Sequence, residues 1–238
     1  FVGGLLDLEK EIFMKKYLIP FLLLSIGFSD TTYVGGSVNG NWSTSNSPIV
    51  VTDNLIILPE DSLIIEPGAE ILFNGYYSIN IFGLFQAIGT ESNPIFFHSM
   101  SINNTDTTNS QIPTFWGSIN FADDSDDSSR LSHCVIRDAS WGGYNPYNGA
   151  VNMNFSSPRI DHNTFENINN SAIYLENSNS IITNNKFILD NDKDGYYISI
   201  SQGSPKILNN EFEGLITQTP QFGLLIYAEN NYDQLEII

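Results

Sequence analysis

Three copies of one sequence unit decide the fold of this chain: SPRIDHNTF at 157–165, NSIITNNKF at 179–187 and SPKILNNEF at 204–212. Successive copies are offset by 22 and 25 residues. Three positions keep their residue type in every copy: Ile160, Ile182 and Ile207; Asn163, Asn185 and Asn210; and Phe165, Phe187 and Phe212. A unit this short cannot bury its apolar residues alone, so the repeat predicts a stack of similar coils.

A weaker copy and a second strand pattern extend the repeat. RLSHCVI at 130–136 places Leu131, Cys134 and Ile136 in the positions of the isoleucine, the asparagine and the phenylalanine. Upstream of each copy, two apolar residues are separated by one other residue, and a further such pair follows the third copy. This period of two is typical of a β-strand. These pairs are Val151 and Met153, Ile173 and Leu175, Ile198 and Ile200, and, in a last copy, Leu225 and Tyr227. The first three pairs end seven residues before the isoleucine, which indicates a corner of fixed length.

The spacing within the unit predicts a bend at the asparagine. Asn163 comes three positions after Ile160, and Phe165 two positions after Asn163, so inward alternation cannot continue through the asparagine. In a stack of coils, the asparagines of successive copies lie above one another. We therefore expect a structural ladder of side-chain amides hydrogen-bonded from coil to coil, formed by Asn163, Asn185 and Asn210.

The earlier part of the chain also consists of strand patterns and turns. Residues 55–99 read LIILPEDSLIIEPGAEILFNGYYSINIFGLFQAIGTESNPIFFHS. Glu66, Pro67 and Gly68 suit a turn with proline at its second position and, at its third, a glycine of positive φ. No segment has the pattern of a long amphipathic helix, so we expect an all-β protein.

Several segments resemble a known family. IEPGAEILF, GLFQAIGT and NPIFFHS, followed by Trp116, Gly117 and the asparagine repeats, are similar to the secreted right-handed β-helix repeat proteins of the pectate-lyase-like superfold. The resemblance covers about residues 40–215 and implies an all-β, single-stranded right-handed parallel β-helix. Such proteins are typically large bacterial surface or secreted proteins, often with a C-terminal sorting domain. We therefore expect a solenoid truncated at its C-terminus, part of a longer protein whose C-terminal region is missing here.

The N-terminus has the pattern of a secretory signal peptide. Residues 14–29, MKKYLIPFLLLSIGFS, contain two lysines, an apolar run and then small or polar residues. The apolar run is shorter than the roughly 20 residues that cross a bilayer. We expect export into the medium or to a bacterial cell surface, with no membrane span in the mature chain. Residues 1–13 are interpreted as an upstream non-native extension, 30–54 as an N-terminal cap segment that leads into the solenoid, and 55–238 as the β-helix.

The net charge narrows the classes of expected partner. Acidic residues outnumber basic residues 27 to 9, and the formal charge is −18. Because such a field repels phosphate backbones, nucleic acid is not an expected partner.

Cys134 is the single cysteine, which excludes a disulfide within the chain. Its place in the asparagine column predicts a buried structural thiol.

One loop resembles half of a calcium site. DNDKDG at 190–195 supplies Asp190, Asp192 and Asp194 at alternate positions, as in the first part of a calcium-binding loop. Ser201 occupies the twelfth position, where such a loop has glutamate. The alternative is an ordinary solvated turn. Ca²⁺ is thus the one candidate cofactor, and the fold requires none.

A long glycine-rich loop is the candidate carbohydrate-binding segment. RDASWGGYNPYNG at 137–149 carries Trp141, Tyr144 and Tyr147. Aromatic side chains on such a loop can form flat platforms that stack on sugar rings. The alternative is that the loop folds its own aromatic side chains over the side of the solenoid.

Other charged and titratable residues do not complete a catalytic signature. Asp123, Asp124, Asp126 and Asp127 could hold calcium or cleave a glycosidic bond, but an exposed acidic loop is the favoured interpretation. The resemblance implies that hydrolases of the superfold pair such aspartates with GHG and RIK segments, and neither occurs here. Arg159 and Lys206 occupy equivalent repeat positions and are expected to share a face. His133 and His162 share one column and are interpreted as column fillers.

These observations favour a non-catalytic exported module of a cell-surface or secreted protein, with a rigid face for binding a polysaccharide, a cell-surface glycan or another partner. The alternative is a carbohydrate-active enzyme of the pectate-lyase-like superfold, either a polysaccharide lyase or a glycoside hydrolase, whose catalytic residues are unknown. A pure spacer is a third hypothesis. Outward-facing strand positions discriminate among them: convergent carboxylates beside a basic residue favour an enzyme, and scattered Asn, Ser and Thr favour binding or structure.

Overall fold

The computed structural model describes residues 31–100, 115–140, 148–189, 196–214, 224–226 and 236–237. The regular elements in these residues are β-strands. Their bounds are β1 Thr32–Ser37, β2 Gly40–Trp42, β3 Ile49–Ile57, β4 Ser62–Ile65, β5 Glu70–Phe73, β6 Ile79–Ile81, β7 Leu84–Ile88, β8 Ile95–Ser99, β9 Ile119–Phe121, β10 Arg130–Ser132, β11 Cys134–Arg137, β12 Gly149–Asn154, β13 Arg159–Asp161, β14 Thr164–Glu166, β15 Ser171–Glu176, β16 Ile181–Thr183, β17 Lys186–Leu189, β18 Ile198–Ile200, β19 Lys206–Leu208, β20 Glu211–Gly214, β21 Leu224–Ile226 and β22 Glu236–Ile237.

The strands pair in parallel and form three faces of a solenoid. The first face contains the end of β3, then β6, β9, β12, β15, β18 and β21. The second face contains β2, β4, β7, β10, β13, β16, β19 and β22. The third face contains the start of β3, then β5, β8, β11, β14, β17 and β20. Each coil crosses the three faces in this order, so the all-β parallel β-helix that the repeat predicts is confirmed.

The register of the second face matches the alignment of the repeat units. Leu131 pairs with Ile160, Ile160 with Ile182, and Ile182 with Ile207. All four side chains are buried. On the third face the rings of Phe165 and Phe187 stack at a centroid distance of 4.9 Å. Like residues therefore stack on like residues, and each coil covers the apolar face of the next.

The predicted alignment of the last first-face strand was wrong by one residue. Ile198 pairs with Leu224 and Ile200 with Ile226, whereas the sequence pattern aligned them with Leu225 and Tyr227. Residues 224–227 read LLIY, so both alternating frames are apolar and period two cannot choose between them.

The bend between the second and third faces uses the left-handed backbone conformation in each later coil. His133, His162, Asn184 and Asn209 have φ angles of 50°, 57°, 56° and 54°. A single left-handed residue turns the chain and interrupts the alternation of side chains, which explains the irregular spacing within the unit. The turn at Glu66, Pro67 and Gly68 likewise has a glycine of positive φ at its third position, 81°.

The core is continuous from the first strands onward. Trp42, Ile49 and Val51 belong to the same buried cluster as the repeat isoleucines, and β2 pairs with β4. Within the predicted cap segment, residues 31–54 therefore share the sheets and the core of the residues that follow. Among the described residues, no helix has the length and apolar character needed to cross a membrane.

Candidate functional site on the second face

The predicted binding loops lie outside the described residues. This applies to the aromatic residues Trp141, Tyr144 and Tyr147, and to the acidic residues Asp190, Asp192 and Asp194. It applies equally to the signal segment 14–29 and to residues 1–13. Sugar stacking, calcium binding and export therefore stay predictions. In the described part of the chain, no group of three or more His, Cys, Asp or Glu side chains is placed to hold a metal ion.

Asn163, Asn185 and Asn210 form a hydrogen-bonded column at the bend between the second and third faces. Oδ1 of Asn185 accepts hydrogen bonds from the backbone N–H of Asn163 at 2.9 Å and from its Nδ2 at 3.0 Å. Oδ1 of Asn210 accepts the same pair from Asn185 at 2.9 and 3.0 Å. Each Nδ2 also donates to a carbonyl oxygen of the preceding coil, for example Asn185 to Ile160 at 2.9 Å. These contacts link successive coils, so the column has a structural role.

Cys134 continues this column by one coil. Its backbone N–H donates to Oδ1 of Asn163 at 2.9 Å, and its thiol lies 3.4 Å from the carbonyl oxygen of Ala87. The side chain is buried, and burial raises the pKa of the thiol far above its ordinary value. The thiol therefore stays protonated and unreactive in the folded chain.

Beside this bend, the second face carries a cluster centred on a buried carboxylate. Ile160 points into the core, so its neighbours on β13, Arg159 and Asp161, point outward. The Asp161 side chain nevertheless has no exposed surface. Arg130 donates from Nε to Oδ1 and from Nη2 to Oδ2, both at 2.7 Å. Arg159 donates from Nε to Oδ1 at 2.9 Å.

Two further donors complete the shell around Asp161. Oδ2 also accepts hydrogen bonds from Oγ of Ser132 at 3.0 Å and from Nδ1 of His162 at 2.9 Å. A carboxylate offers about four lone-pair positions, so these five bonds leave it saturated. Because the ionised carboxylate only accepts, Nδ1 of His162 carries the proton.

Burial and hydrogen bonding act in opposite directions on this carboxylate. Burial is the largest single influence and would raise the pKa of Asp161. The hydrogen bonds from Arg130, His162 and Ser132 together outweigh it and hold the pKa well below its ordinary value. The hydrogen bond to Asp161 in turn raises the pKa of Arg130. Asp161 is therefore ionised near neutral pH and holds two guanidinium groups in place.

A cavity opens next to the cluster. The rings of His133 and His162 stack at a centroid distance of 4.8 Å with an interplanar angle of 16°. Both imidazoles line a cavity of about 230 Å³. Its other polar side chains include Thr90, Glu91 and Thr164. His162 therefore connects the cavity to the arginine cluster through Asp161.

Comparison with known proteins places the fold in a family. The sequence profile described as "Right handed beta helix region" matches residues 95–237, which is more than half of the chain. The chain belongs to the right-handed β-helix family. Within this right-handed β-helix, the match includes both the asparagine column and the Asp161 cluster. No curated protein and no solved structure matches the chain.

The first face of the β-helix has an outward row that the sequence analysis missed. Nδ2 of Asn120 donates to Oδ1 of Asn80 at 3.0 Å, and Nδ2 of Asn152 donates to Oδ1 of Asn120 at 2.8 Å. The sequence signal is the polar residue between two apolar residues in INI at 79–81, INF at 119–121 and VNM at 151–153. This row links coils in the same way as the column at the bend.

The acidic loop of the β-helix has structural contacts. Asp123, Asp124, Asp126 and Asp127 are all exposed. Oδ1 of Asp126 accepts a hydrogen bond from the N–H of Ser128, and the hydrogen bonding from Ser128 lowers the pKa of Asp126. Oδ1 of Asp127 accepts from the N–H of Ser157 in the next coil at 2.6 Å. The Asp127 carboxylate thus connects neighbouring corners, whereas the Asp126 carboxylate bonds within its own loop.

The Asp161 cluster also escaped the sequence analysis. The sequence analysis considered Arg159 together with Lys206 and His162 together with His133, and it did not consider Asp161 as a site residue. The structure places Arg130, Arg159 and Lys206 in one outward column, with Ile181 between Arg159 and Lys206. Arg159 and Lys206 therefore share a face, as their repeat positions predict. The available sequence signal for the cluster was RID at 159–161, in which an arginine and an aspartate flank the inward isoleucine.

Proposed function

We propose that this right-handed β-helix is a non-catalytic exported module of a cell-surface or secreted protein. Its role is to present a rigid outward face for contact with a glycan or a partner. The observation that carries this proposal is the pair of outward guanidinium groups, Arg130 and Arg159, fixed by the buried Asp161 carboxylate.

Rigidity supports a contact role. Rows of side-chain hydrogen bonds join the coils at the bend and on the first face, and the core is continuous beneath them. Side chains held in this way lose little conformational entropy when a ligand binds. A face built from such rows is therefore suited to recognition of an extended ligand.

The state of the Asp161 carboxylate favours contact over catalysis on the second face. A general acid or base must reach the reacting group of the substrate, within about 3 Å. Asp161 has no exposed surface and all its acceptor positions are used. The first-face row consists of amides, which neither donate nor accept protons in general acid–base chemistry. On the second face Asp161 therefore serves as a structural acceptor, and the first-face row serves to link coils.

Export is supported by the N-terminal sequence. The lysines, the apolar run and the small residues of 14–29 are the three parts of a signal peptide. Expressing residues 14–238 in a bacterial host, with and without residues 14–29, tests this part of the proposal. We expect the longer chain outside the cytoplasm and the shorter chain inside it. Equal cytoplasmic retention of both chains would contradict export.

Binding and catalysis are tested together on one preparation. The full chain is incubated with a panel of soluble polysaccharides, and both retention on the polymer and the release of shortened or unsaturated products are measured. We expect retention without product. Product formation would establish the carbohydrate-active enzyme instead, and neither retention nor product would leave the spacer hypothesis.

A further inference from the structure

We propose that the second face carries a binding site for an anionic sugar chain, formed by Arg130 and Arg159 together with the adjoining cavity. The inference rests on the proposed function and specifies its ligand class: a polysaccharide that bears carboxylate or sulfate groups. It also specifies the place on the solenoid, the outward surface of β10 and β13 beside the bend at His133 and His162.

The distribution of basic residues singles out this face. Lys10, Lys15 and Lys16 precede residue 30, which leaves six basic residues in the rest of the chain. Three of the six, Arg130, Arg159 and Lys206, occupy one outward column. The whole chain has a formal charge of −18, so three basic side chains in one column form a local concentration of positive charge.

Both arginines keep donors for a ligand. Arg130 uses Nε and Nη2 on Asp161 and Ser132, so Nη1 has no hydrogen-bond partner among the described residues. Arg159 uses only Nε, and its Nη1 and Nη2 have none there. The two side chains are 37% and 43% exposed. Guanidinium groups pair with carboxylate and sulfate oxygens through parallel hydrogen bonds, which gives the pair its selectivity for oxyanions.

Asp161 prepares the two guanidinium groups for binding. The two arginines lie on paired strands of adjacent coils, which are about 4.8 Å apart, so their positive charges would repel each other. The buried carboxylate between them compensates that repulsion and fixes both Nε atoms. The two guanidinium groups and the Asp161 carboxylate together carry one positive charge, and Nη1 of Arg130 and both Nη atoms of Arg159 keep donors. The free energy cost of ordering two long side chains is therefore met before the ligand arrives.

The cavity supplies the groups that hydroxyls require. Thr90, Thr164 and Glu91 offer hydroxyl and carboxylate oxygens, and His133 and His162 offer ring edges. The cavity volume of about 230 Å³ is smaller than that of a site for a drug-sized ligand and suits a small unit such as one sugar. The arginines can bind an acidic group, and the neighbouring cavity can hydrogen-bond hydroxyl groups. An acidic sugar carries both kinds of group.

An acidic peptide is the less favoured ligand. Peptides that bind sheet proteins add a strand to an open edge or place apolar side chains in pockets. β10 and β13 are paired on both sides, so neither offers an edge. The exposed side chains of this region are mainly charged or polar, which gives a peptide few apolar anchors.

The test uses one polymer backbone in three forms: with carboxylate groups, with sulfate groups and uncharged. The full chain is titrated with carboxymethyl-dextran, dextran sulfate and neutral dextran, and with poly-glutamate as the peptide control. We expect at least one anionic dextran to bind at least tenfold more tightly than neutral dextran, and more weakly at high salt. The stronger of the two anionic polymers identifies the acidic group.

Matched variants locate the site. Arg159→Gln is expected to weaken binding at least fivefold, and Lys186→Gln, which removes the same charge from the third face, to change it less than twofold. If the circular dichroism of Arg159→Gln shows loss of fold, Lys206→Gln replaces it, with a loss of at least twofold expected. Equal effects of the second-face and third-face variants would overturn the site.

The other outcomes separate this inference from the proposed function. Binding of neutral and anionic dextrans with equal affinity would overturn the anionic site and leave a glycan-binding module. Poly-glutamate that binds as tightly as the dextrans, with the same sensitivity to Arg159→Gln, would overturn the assignment to sugar. No binding of any polysaccharide would overturn both the site and the glycan role.

Discussion

At the bend between the second and third faces, single residues hold the coils in register. One residue adopts positive φ, as His162 and Asn184 do, and the next places an amide in the buried column, as Asn163 and Asn185 do. The left-handed conformation costs an ordinary residue about 1–2 kcal/mol, and asparagine tolerates it better because its side chain bonds locally. Asparagine at both positions therefore serves two separate physical requirements.

Asn185→Ala tests the amide column. The substitution leaves the N–H and Nδ2 of Asn163 and the carbonyl oxygen of Ile160 without their partner. Each buried group left unpaired costs about 1–3 kcal/mol, so we expect the free energy of unfolding to fall by at least about 2 kcal/mol in urea titrations. Ser62→Ala, at an exposed strand position, is the control and should change it by less than about 0.5 kcal/mol. Equal effects would exclude a stabilising column.

Asp161→Asn tests the buried carboxylate. Hydrogen bonds to a charged group contribute about 1.5–3 kcal/mol, so we expect the variant to be about 2 kcal/mol less stable than the parent chain at pH 7. The pKa of Asp161 is lowered by folding, whereas an aspartate in the unfolded chain titrates near about 3.9. The stabilisation is therefore complete above about pH 5 and is lost as the pH falls toward the folded pKa.

Urea titrations at several pH values measure this dependence. The difference in unfolding free energy between the parent chain and Asp161→Asn should be constant at neutral pH and shrink below about pH 4. A difference that stays constant down to pH 3 would show that the carboxylate charge does not contribute.

The thiol of Cys134 should be inert in the folded chain. Burial raises its pKa, so the reactive thiolate is absent and the sulfur is out of reach of solvent. We expect a thiol-specific chromogenic reagent to label the chain only above the unfolding midpoint in urea. Rapid labelling in buffer would mean that the coil around β11 opens readily.

At the scale of the element, burial of alternate side chains determines each strand. On β16, Ile182 is buried and its neighbour Ile181 is partly exposed, although the two residues are identical. The repeat alignment identifies the buried one because Ile160 and Ile207 occupy its column. Where a strand is apolar in both frames, as at 224–227, a single sequence contains no such information.

The strand β16 offers a matched pair of substitutions. Ile182→Ala removes methyl groups from a packed column and should lower the free energy of unfolding by about 2–5 kcal/mol. Ile181→Ala removes the same groups from the outward side and should cost less than about 1 kcal/mol. Thermal and urea unfolding of both variants measure the difference. A larger effect at Ile181 would contradict the register of the second face.

At the scale of the whole molecule, the strands of each coil pair with those of the coils above and below it. Stability in such a stack is nearly a sum of coil terms and neighbour terms, so terminal coils are expected to open first. Amides of β12 and β15, which have strands on both sides, should exchange with deuterium more slowly than those of β1 and β20. Native-state exchange with mass spectrometry resolves these segments. Uniform exchange would indicate that the solenoid opens as one cooperative unit.

The later coils of the β-helix were predictable from the sequence because they repeat. Asn163, Asn185 and Asn210 share spacing and neighbours, so one alignment placed the bend, the inward isoleucines and the amide column. The candidate site was less predictable. Its members, Arg130, Arg159 and Asp161, come from two coils, and the earlier coil preserves the repeat only weakly.

The sequence by itself determined the architecture of this protein, because a repeated unit with alternating apolar residues can bury its core only by stacking on copies of itself. The tertiary structure decided which outward side chains meet. Arg130 and His162 lie 32 positions apart in the chain, and both reach Asp161 only because the intervening loops have the lengths that bring β10 over β13. Loop lengths vary without changing the inward pattern, so the contacts of the outer surface depend on a register that only the folded chain defines.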